Sequence, residues 1–178
     1  MTHISPLHLP ADNVAVLRKQ NGHDLGFLQT LYASRRWAEV SAVPGWNDAQ
    51  RRAFLHTQAE LQRQHYEKHF ATADFLIVEQ AGSPIGRLCV QYAADDVRIV
   101  DIALLPDWHG RGIGTELLRR VLAKADAQGQ TCSLSVELGS RARQLYERLG
   151  FRAGADTGLY TQMQRPARLD AREAVDSP

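Results

Sequence analysis

Three glycines alternate within five residues near the middle of the chain. Gly110, Gly112 and Gly114 lie in the stretch P-D-W-H-G-R-G-I-G-T, between an apolar run and a segment with helical periodicity. Glycine adopts backbone conformations that other residues avoid, and it lets a ligand approach the N–H groups closely. The N-terminus of a helix adds partial positive charge, and Arg111 adds a full one. The pattern therefore indicates either a loop that binds an anion such as a diphosphate or a glycine-rich connection without a ligand.

The spacing of these glycines differs from that of two common nucleotide-binding motifs. G-x-G-x-G matches neither the dinucleotide fingerprint G-x-G-x-x-G nor the phosphate loop G-x-x-x-x-G-K-[ST]. The lysine of the phosphate loop is missing, which argues against a nucleotide-phosphate binder. That class of protein remains the less favoured alternative.

The elements around the glycines are predicted from hydrophobic periodicity. Helices are expected from residue 25 to 33 after Asp24, from Asn47 or Asp48 to about Phe70, from 113 to about 129, and from about 140 to 149. Strands are expected at 14–17, in a hairpin from residue 74 to 92, at 97–105, at 132–137 and around Tyr160. Helices come first, then antiparallel strands, then alternating strands and helices. This order predicts an α+β, or mixed α/β, single domain around one central sheet.

Composition narrows the class of protein and of partner. The chain has 178 residues, of which 44% are hydrophobic and 23% charged, and its net charge is +1. These values are typical of a globular domain and favour neither a nucleic-acid nor a membrane partner. Cys89 and Cys132 lie in apolar runs and are expected to be buried, free thiols. His65 and His69 stand four residues apart without further ligands nearby, so no metal site is predicted.

The termini and the apolar runs indicate in which cellular compartment the protein is expected. No secretion signal and no apolar run of about 18 residues is recognised, so a cytoplasmic protein is expected. We expect an N-terminal segment at 1–13, the domain at 14–165 and a flexible tail at 166–178. A monomer or a homodimer fits this organisation.

Two stretches resemble signatures of the GNAT superfamily of N-acyltransferases. D-I-A-L-L-P-D-W-H-G-R-G-I-G-T-E-L-L resembles its acyl-CoA-binding motif, whose core reads Arg/Gln-x-x-Gly-x-Gly/Ala. A-R-Q-L-Y-E-R-L-G-F resembles its second signature, A-x-x-L-Y-x-x-L-G-F, in the expected order and spacing. The resemblance runs from about residue 74 to 151. It implies a central mixed sheet in which two parallel strands, here 97–105 and 132–137, splay apart around acetyl-CoA, with helices on both faces.

The resemblance also implies which residues hold acetyl-CoA. The backbone around Leu104 and Leu105 would meet the pantetheine arm and polarise the thioester carbonyl. The diphosphate would be held by the loop and the helix start, which comprise His109, Gly110, Arg111, Gly112, Ile113, Gly114 and Thr115. Two positions depart from the family pattern, because His109 replaces the usual Arg or Gln and Gly139 replaces a common Asn. Ser140 would take over from that Asn as a helix cap or as a contact to the cofactor.

Acyl transfer from a thioester to an amine requires a deprotonated amine, a stabilised oxyanion and a protonated leaving thiolate. Tyr146 lies where the family carries the tyrosine that protonates the sulfur, although its spacing also fits a buried helix face. Asp101 interrupts an apolar strand, where it acts as the general base or pairs with an arginine such as Arg87. Glu137 is the second candidate base, and a chain of waters is the third.

The sequence thus predicts an N-acetyltransferase that uses acetyl-CoA and no metal. The acetyl group would pass to a primary amine of a small molecule or peptide by direct attack, through a tetrahedral intermediate. The alternative is a non-catalytic acyl-CoA-binding sensor, or regulatory domain, of the same fold. The polar side chains along the second helix would line an acceptor pocket or face solvent, and they are Gln58, Gln62, His65 and Tyr66.

Overall fold

The computed structural model describes residues 15–168, which form seven strands and four helices in one mixed α/β unit. The strands are β1 (Val16–Lys19), β2 (Asp74–Gln80), β3 (Ser83–Tyr92), β4 (Asp96–Leu104), β5 (Thr131–Glu137), β6 (Arg152–Thr157) and β7 (Tyr160–Arg165). The helices are α1 (Leu25–Ser41), α2 (Asp48–His69), α3 (Ile113–Ala127) and α4 (Ala142–Arg148). The strands form a single sheet in the order β1-β2-β3-β4-β5-β7-β6. The predicted mixed α/β fold around one central sheet is confirmed.

Individual elements differ from the sequence-based expectation. The first strand begins at Val16, and α1 continues to Ser41, well beyond residue 33. Asn47 caps α2, because its side chain accepts from the Gln50 N–H while the Gln50 side chain accepts from the Asn47 N–H, both at 2.9 Å. Strand β6 was not predicted, and all of its residues are exposed. The predicted N-terminal segment at 1–13 and residues 169–178 of the predicted tail lie outside the described residues.

The hydrophobic core lies between α3 and the sheet. One face of α3 is buried, as its periodicity predicts, and it packs with buried residues of β3, β4 and β5. The opposite face of the sheet meets α1 and α2, since Arg35 of α1 and Gln62 of α2 bond to side chains of β4 and β3. The two layers of helices therefore hold the central strands from both sides. No helix among residues 15–168 is long and apolar enough to cross a membrane.

Strands β4 and β5 are parallel neighbours that separate part-way along their length. They pair from Asp96 with Thr131 to Ile99 with Leu134, and no further. Beyond that point β4 stays paired with β3, while β5 continues along β7. The register of β3 and β4 shifts at Val100, which is an extra residue of the kind that bends a strand. The expected splayed pair is therefore present.

Gly86 of β3 lets β4 run close at the end of the gap. A Cβ atom at this position would lie 2.3 Å from the Ala103 carbonyl oxygen and 2.6 Å from Cδ2 of Leu104. Only glycine accommodates that approach without a shift of the backbone. Leu104, where β4 ends, is thereby held against β3.

Candidate active site

A cavity of about 440 Å³ opens where β4 and β5 separate, a volume within the range of small-molecule sites. Its walls come from α1, α2, α4, the two parting strands and the β6–β7 hairpin. Of the predicted acceptor-side residues, Gln62, His65 and Tyr66 line it, whereas Gln58 does not. Its charged lining residues are three arginines and two carboxylates, namely Arg35, Arg36, Arg98, Asp101 and Glu137.

Asp101 is held between two arginines. Arg87 donates to Oδ2 of Asp101 from Nε at 3.0 Å and also from Nη2, and Arg35 donates to Oδ1 at 3.2 Å. The side chains of Asp101 and Arg87 are 9% and 10% exposed. Burial works to raise the pKa of Asp101, but the two guanidinium groups outweigh it and hold the pKa below its ordinary value. The predicted pairing with Arg87 is present, and it weakens Asp101 as a proton acceptor.

Glu137 lies at the end of β5 and is the more exposed of the two cavity carboxylates, at 43%. Arg36 of α1 donates to it and also pairs with Glu39 at 2.8 Å. Glu137 is thus accessible to solvent.

Tyr146 reaches the cavity from α4 while its ring packs in the core. The residue is 9% exposed, and its ring meets Phe151 edge-on at a centroid distance of 6.0 Å. Burial and, less strongly, the negative charge of Asp101 raise the pKa of the phenol, against the opposing charge of Arg35. The phenol therefore stays protonated at neutral pH and can donate a proton. Within residues 15–168 its hydroxyl has no hydrogen-bond partner, so a ligand can take that place.

The glycine loop presents a row of free N–H groups at the start of α3. Gly110 and Gly112 have φ angles of 72° and 79°, in the left-handed region that glycine tolerates. The first helical bond is donated by Glu116 to the Gly112 carbonyl at 3.0 Å. Within the described chain, the N–H groups of residues 112–115 donate to no protein acceptor. Arg111 lies beside them, 4.8 Å above the Trp108 ring. Such an array suits a phosphate group.

The His109 ring and the Leu105 backbone were expected to face the diphosphate and the pantetheine arm, but both make contacts within the chain. Nε2 of His109 lies 2.8 Å from the Leu104 carbonyl oxygen, which only accepts, so Nε2 donates. The imidazole is thus turned back towards β4. The Leu105 N–H donates to Ile85 of β3, and its carbonyl accepts from Trp108. Because successive residues of a strand direct their backbone groups to opposite sides, the N–H of Leu104 faces the gap and that of Leu105 does not.

Comparison with known proteins identifies this arrangement. Residues 71–153 match the family model described as the acetyltransferase (GNAT) domain. The matched range contains the parted strands, the glycine loop and Tyr146. This central part of the chain is therefore similar to GNAT acetyltransferase domains.

One curated relative matches part of the chain. The chain is 37% identical over 68 residues to the [ribosomal protein bS18]-alanine N-acetyltransferase of Haemophilus influenzae; the match covers 38% of this chain and 47% of the relative. The chain thus spans about half the length of that curated relative.

Solved structures share the fold at low identity. The PaiA N-acetyltransferase of Thermoplasma acidophilum, in complex with coenzyme A, has a TM-score of 0.63 at 18% identity, over 86% of this chain and 99% of its own. The ribosomal-protein-S18-alanine N-acetyltransferase of Escherichia coli has a TM-score of 0.59 at 18% identity, over 92% and 100%. These likenesses establish the fold.

The motifs in the sequence did not indicate the arginines that line the cavity. Arg98 interrupts the apolar run of β4, and this was an available signal. Arg35 and Arg36 lie in a helix without a motif, so only the fold places them at the cavity. Ser140 also lines the cavity, and its hydroxyl accepts from the Ala142 N–H at 3.3 Å, just before α4 begins.

The two cysteines of the domain are buried and free, as expected. Burial raises the pKa of the Cys89 thiol to about 12 and that of Cys132 to about 11. Neither thiol is therefore ionised at neutral pH, and neither is suited to act as a nucleophile.

Arg35 and Arg87 hold Asp101 in what we call the clamp. From it we predict that the contribution of Asp101 to stability depends on pH. Asp101→Asn leaves Arg87 buried without its counter-charge, so we expect the free energy of unfolding at pH 7 to fall by about 3 kcal/mol. Because the folded-state pKa of Asp101 is depressed, its stabilisation is complete above the unfolded pKa of about 3.9 and is lost as pH falls through the folded value. The difference between wild type and variant should narrow below about pH 4.

Urea denaturation at pH 7 and pH 3.5 measures this difference. Glu137→Gln is the control, since its more exposed pair should change the unfolding free energy by only about 0–1 kcal/mol. An Asp101→Asn protein as stable as wild type at pH 7 would show that the clamp has no structural role.

Proposed function

We propose that this domain transfers an acetyl group from acetyl-CoA to a primary amine of a small molecule or peptide. The observation that carries the proposal is the separation of β4 from β5: the cavity that Tyr146 lines opens there, and β4 runs on from its wall to Leu104 and towards the free N–H groups of residues 112–115. A loop suited to a diphosphate and a candidate proton donor would thus lie along one path beside β4.

The residues along this path fit acetyl-CoA. The loop from His109 to Thr115 would hold the diphosphate through its backbone N–H groups and Arg111. Where β5 has left β4, the backbone of β4 that faces the gap has lost its strand partner and can pair with the amide groups of the pantetheine arm. His109 would fix the loop against Leu104 through the bond from its ring, instead of donating to a phosphate. When bound, acetyl-CoA supplies an acetyl group that is already activated as a thioester.

Different residues would stabilise the oxyanion, deprotonate the amine and protonate the sulfur. The N–H of Leu104 faces the gap and would donate to the carbonyl oxygen as negative charge develops there. The arginines of the wall disfavour a protonated amine, because like charges lower the pKa of an ammonium group. Asp101, clamped by two arginines, is a weak base, so Glu137 or water would take the proton from the amine. The Tyr146 hydroxyl would protonate the departing sulfur.

Peptide amines belong among the candidate acceptors for one further reason. Two of the similar proteins are named as alanine N-acetyltransferases of a ribosomal protein. An acyl-CoA sensor remains the alternative function, and it would bind acetyl-CoA without releasing a thiol in the presence of any amine.

Gly114 offers a test of the phosphate loop that does not harm the fold. Its φ is ordinary, and an added Cβ would meet only Cδ1 of Leu104 at 3.9 Å. We expect Gly114→Ala to keep or raise stability, by up to about 1 kcal/mol, since alanine favours a helix. The methyl group would crowd the row of free N–H groups, so the dissociation constant for acetyl-CoA should rise at least about tenfold, or 1.4 kcal/mol.

Calorimetric titration with acetyl-CoA and a thermal melt measure both effects. Gly26→Ala is a matched control, because Gly26 is also the second residue of a helix and has no atoms within 4 Å of an added Cβ. Equal affinity of wild type and Gly114→Ala would place the diphosphate elsewhere.

Tyr146→Phe tests the proton donor. General acid catalysis contributes typically about 10²–10⁴-fold, so kcat should fall by that factor while the KM for acetyl-CoA changes little. A thiol-release assay with an amine panel gives both constants. Tyr92→Phe is the control, as Tyr92 contacts Lys124 and does not line the cavity. A loss below about threefold would leave Tyr146 with a packing role only.

A further inference from the structure

Arg98 is a cation of the cavity wall whose hydrogen-bond partners are neutral. Its guanidinium donates to Oγ of Ser135 and, at 3.3 Å, to Oε1 of Gln162. Ser135 also donates to the same Gln162 oxygen at 3.0 Å. All three side chains line the cavity and are partly buried. They form one polar patch on the wall where β4 and β5 are still paired.

The other two arginines that line the cavity differ from Arg98, because each has a carboxylate partner. Arg35 pairs with Asp101, which Arg87 of β3 also contacts, and Arg36 pairs with Glu137 and Glu39. Within residues 15–168, Arg98 forms no ion pair. Asp96 is the acidic group that acts on it electrostatically, but that carboxylate accepts from the hydroxyls of Thr131 and Ser133 and lies beyond ion-pair distance.

This environment is costly for a positive charge. Burial lowers the pKa of Arg98, and the charge of Asp96 offsets this only in part. A guanidinium that is partly desolvated and lacks a counter-ion gains more from an incoming anion than one that is already paired. The planar fork of arginine binds a carboxylate through two parallel N–H donors, and two neutral partners leave further donors free.

We infer that Arg98, with Ser135 and Gln162, binds a carboxylate of the acceptor, which makes the acceptor an amino acid or a short peptide with a free C-terminus. The inference rests on the proposed acetyltransferase function and specifies its substrate class. A carboxylate fits better than a phosphate because a single unpaired cation balances a single negative charge, and the cavity already holds Asp101 and Glu137. The amine of the same molecule would then lie further along β4, towards Tyr146.

Acceptor pairs with and without a terminal anionic group test the inference. Alanyl-alanine is compared with its C-terminal amide, β-alanine with β-alaninamide, and O-phosphoethanolamine with ethanolamine. Thiol release from acetyl-CoA is measured for wild type, Arg98→Gln and Arg98→Lys. The control is Arg143→Gln, since the half-exposed side chain of Arg143 in α4 pairs with Glu147 and does not line the cavity. Thermal melts verify the fold of each variant.

We expect kcat/KM of wild type to be at least about tenfold higher for the acid than for the amide, the value of one charged hydrogen-bonded contact. Arg98→Gln should remove this preference, because kcat/KM should fall at least about tenfold more for the acids than for the amides. Arg98→Lys should retain part of the preference, and Arg143→Gln all of it. A wild type without preference, a larger preference for the phosphate, or an equal loss on both members of a pair in Arg98→Gln would overturn the inference.

Failure of the proposed function is recognised separately. A wild type that binds acetyl-CoA but acetylates no amine of the panel contradicts the catalytic proposal. The carboxylate site is then decided by thermal melts of the CoA-loaded protein with N-acetyl-alanyl-alanine and with its amide. Stabilisation by the acid alone, lost in Arg98→Gln, supports the site, and equal or absent stabilisation overturns it.

Discussion

The separation of β4 from β5 beyond Ile99 and Leu134 is the constraint on which the rest of the structure depends. The bulge at Val100 bends β4, and each strand keeps its other neighbour, β3 for β4 and β7 for β5. Among residues 15–168, the backbone of β4 that faces the gap therefore has no strand partner beyond Ile99, although the Leu104 carbonyl accepts from His109. Polar backbone groups inside a folded domain require a partner such as a ligand or water. The same separation opens the cavity and sends the chain from Leu104 directly into the glycine loop.

Arginine and carboxylate side chains set the electrostatics of the space thus opened. Arg87 and Arg35 hold Asp101 ionised, Arg36 holds Glu137, and Arg98 stands without a carboxylate. This balance explains why a carboxylate in the middle of β4 is stable there, and it weakens Asp101 as a proton acceptor. On the proposed function it would also favour the neutral form of an amine, which is the form that attacks a thioester. The charged residues of the wall would then together lower the pKa of the amine, and water or Glu137 would accept its proton.

Much of the framework could be predicted from local sequence, because its signals are local. Apolar periodicity predicts α3 and the central strands, and the glycine spacing predicts the loop before α3. The edge strand β6 could not be predicted in this way, since its exposed residues carry no alternation and only pairing with β7 makes it a strand. The long C-terminal part of α1 was missed because its exposed, arginine-rich turns lack apolar periodicity.

The site itself was predictable only in part. The signatures around the loop and Tyr146 indicate which residues come together, but not how each is oriented. The bond from His109 to Leu104, and the use of both backbone groups of Leu105 within the chain, depend on contacts that no motif encodes. The arginines of the cavity come from α1 and β4, so they are brought together only in the folded protein.

Amide hydrogen exchange with and without saturating acetyl-CoA is the most direct measurement of whether the gap and the loop form one binding site. The N–H groups of residues 112–115, together with that of Leu104 in the gap, should become strongly protected when acetyl-CoA binds. The amides of β1 and β2, on the far side of the sheet order, should exchange as before. Binding that leaves residues 112–115 and Leu104 unprotected, or that protects another region instead, would contradict the account.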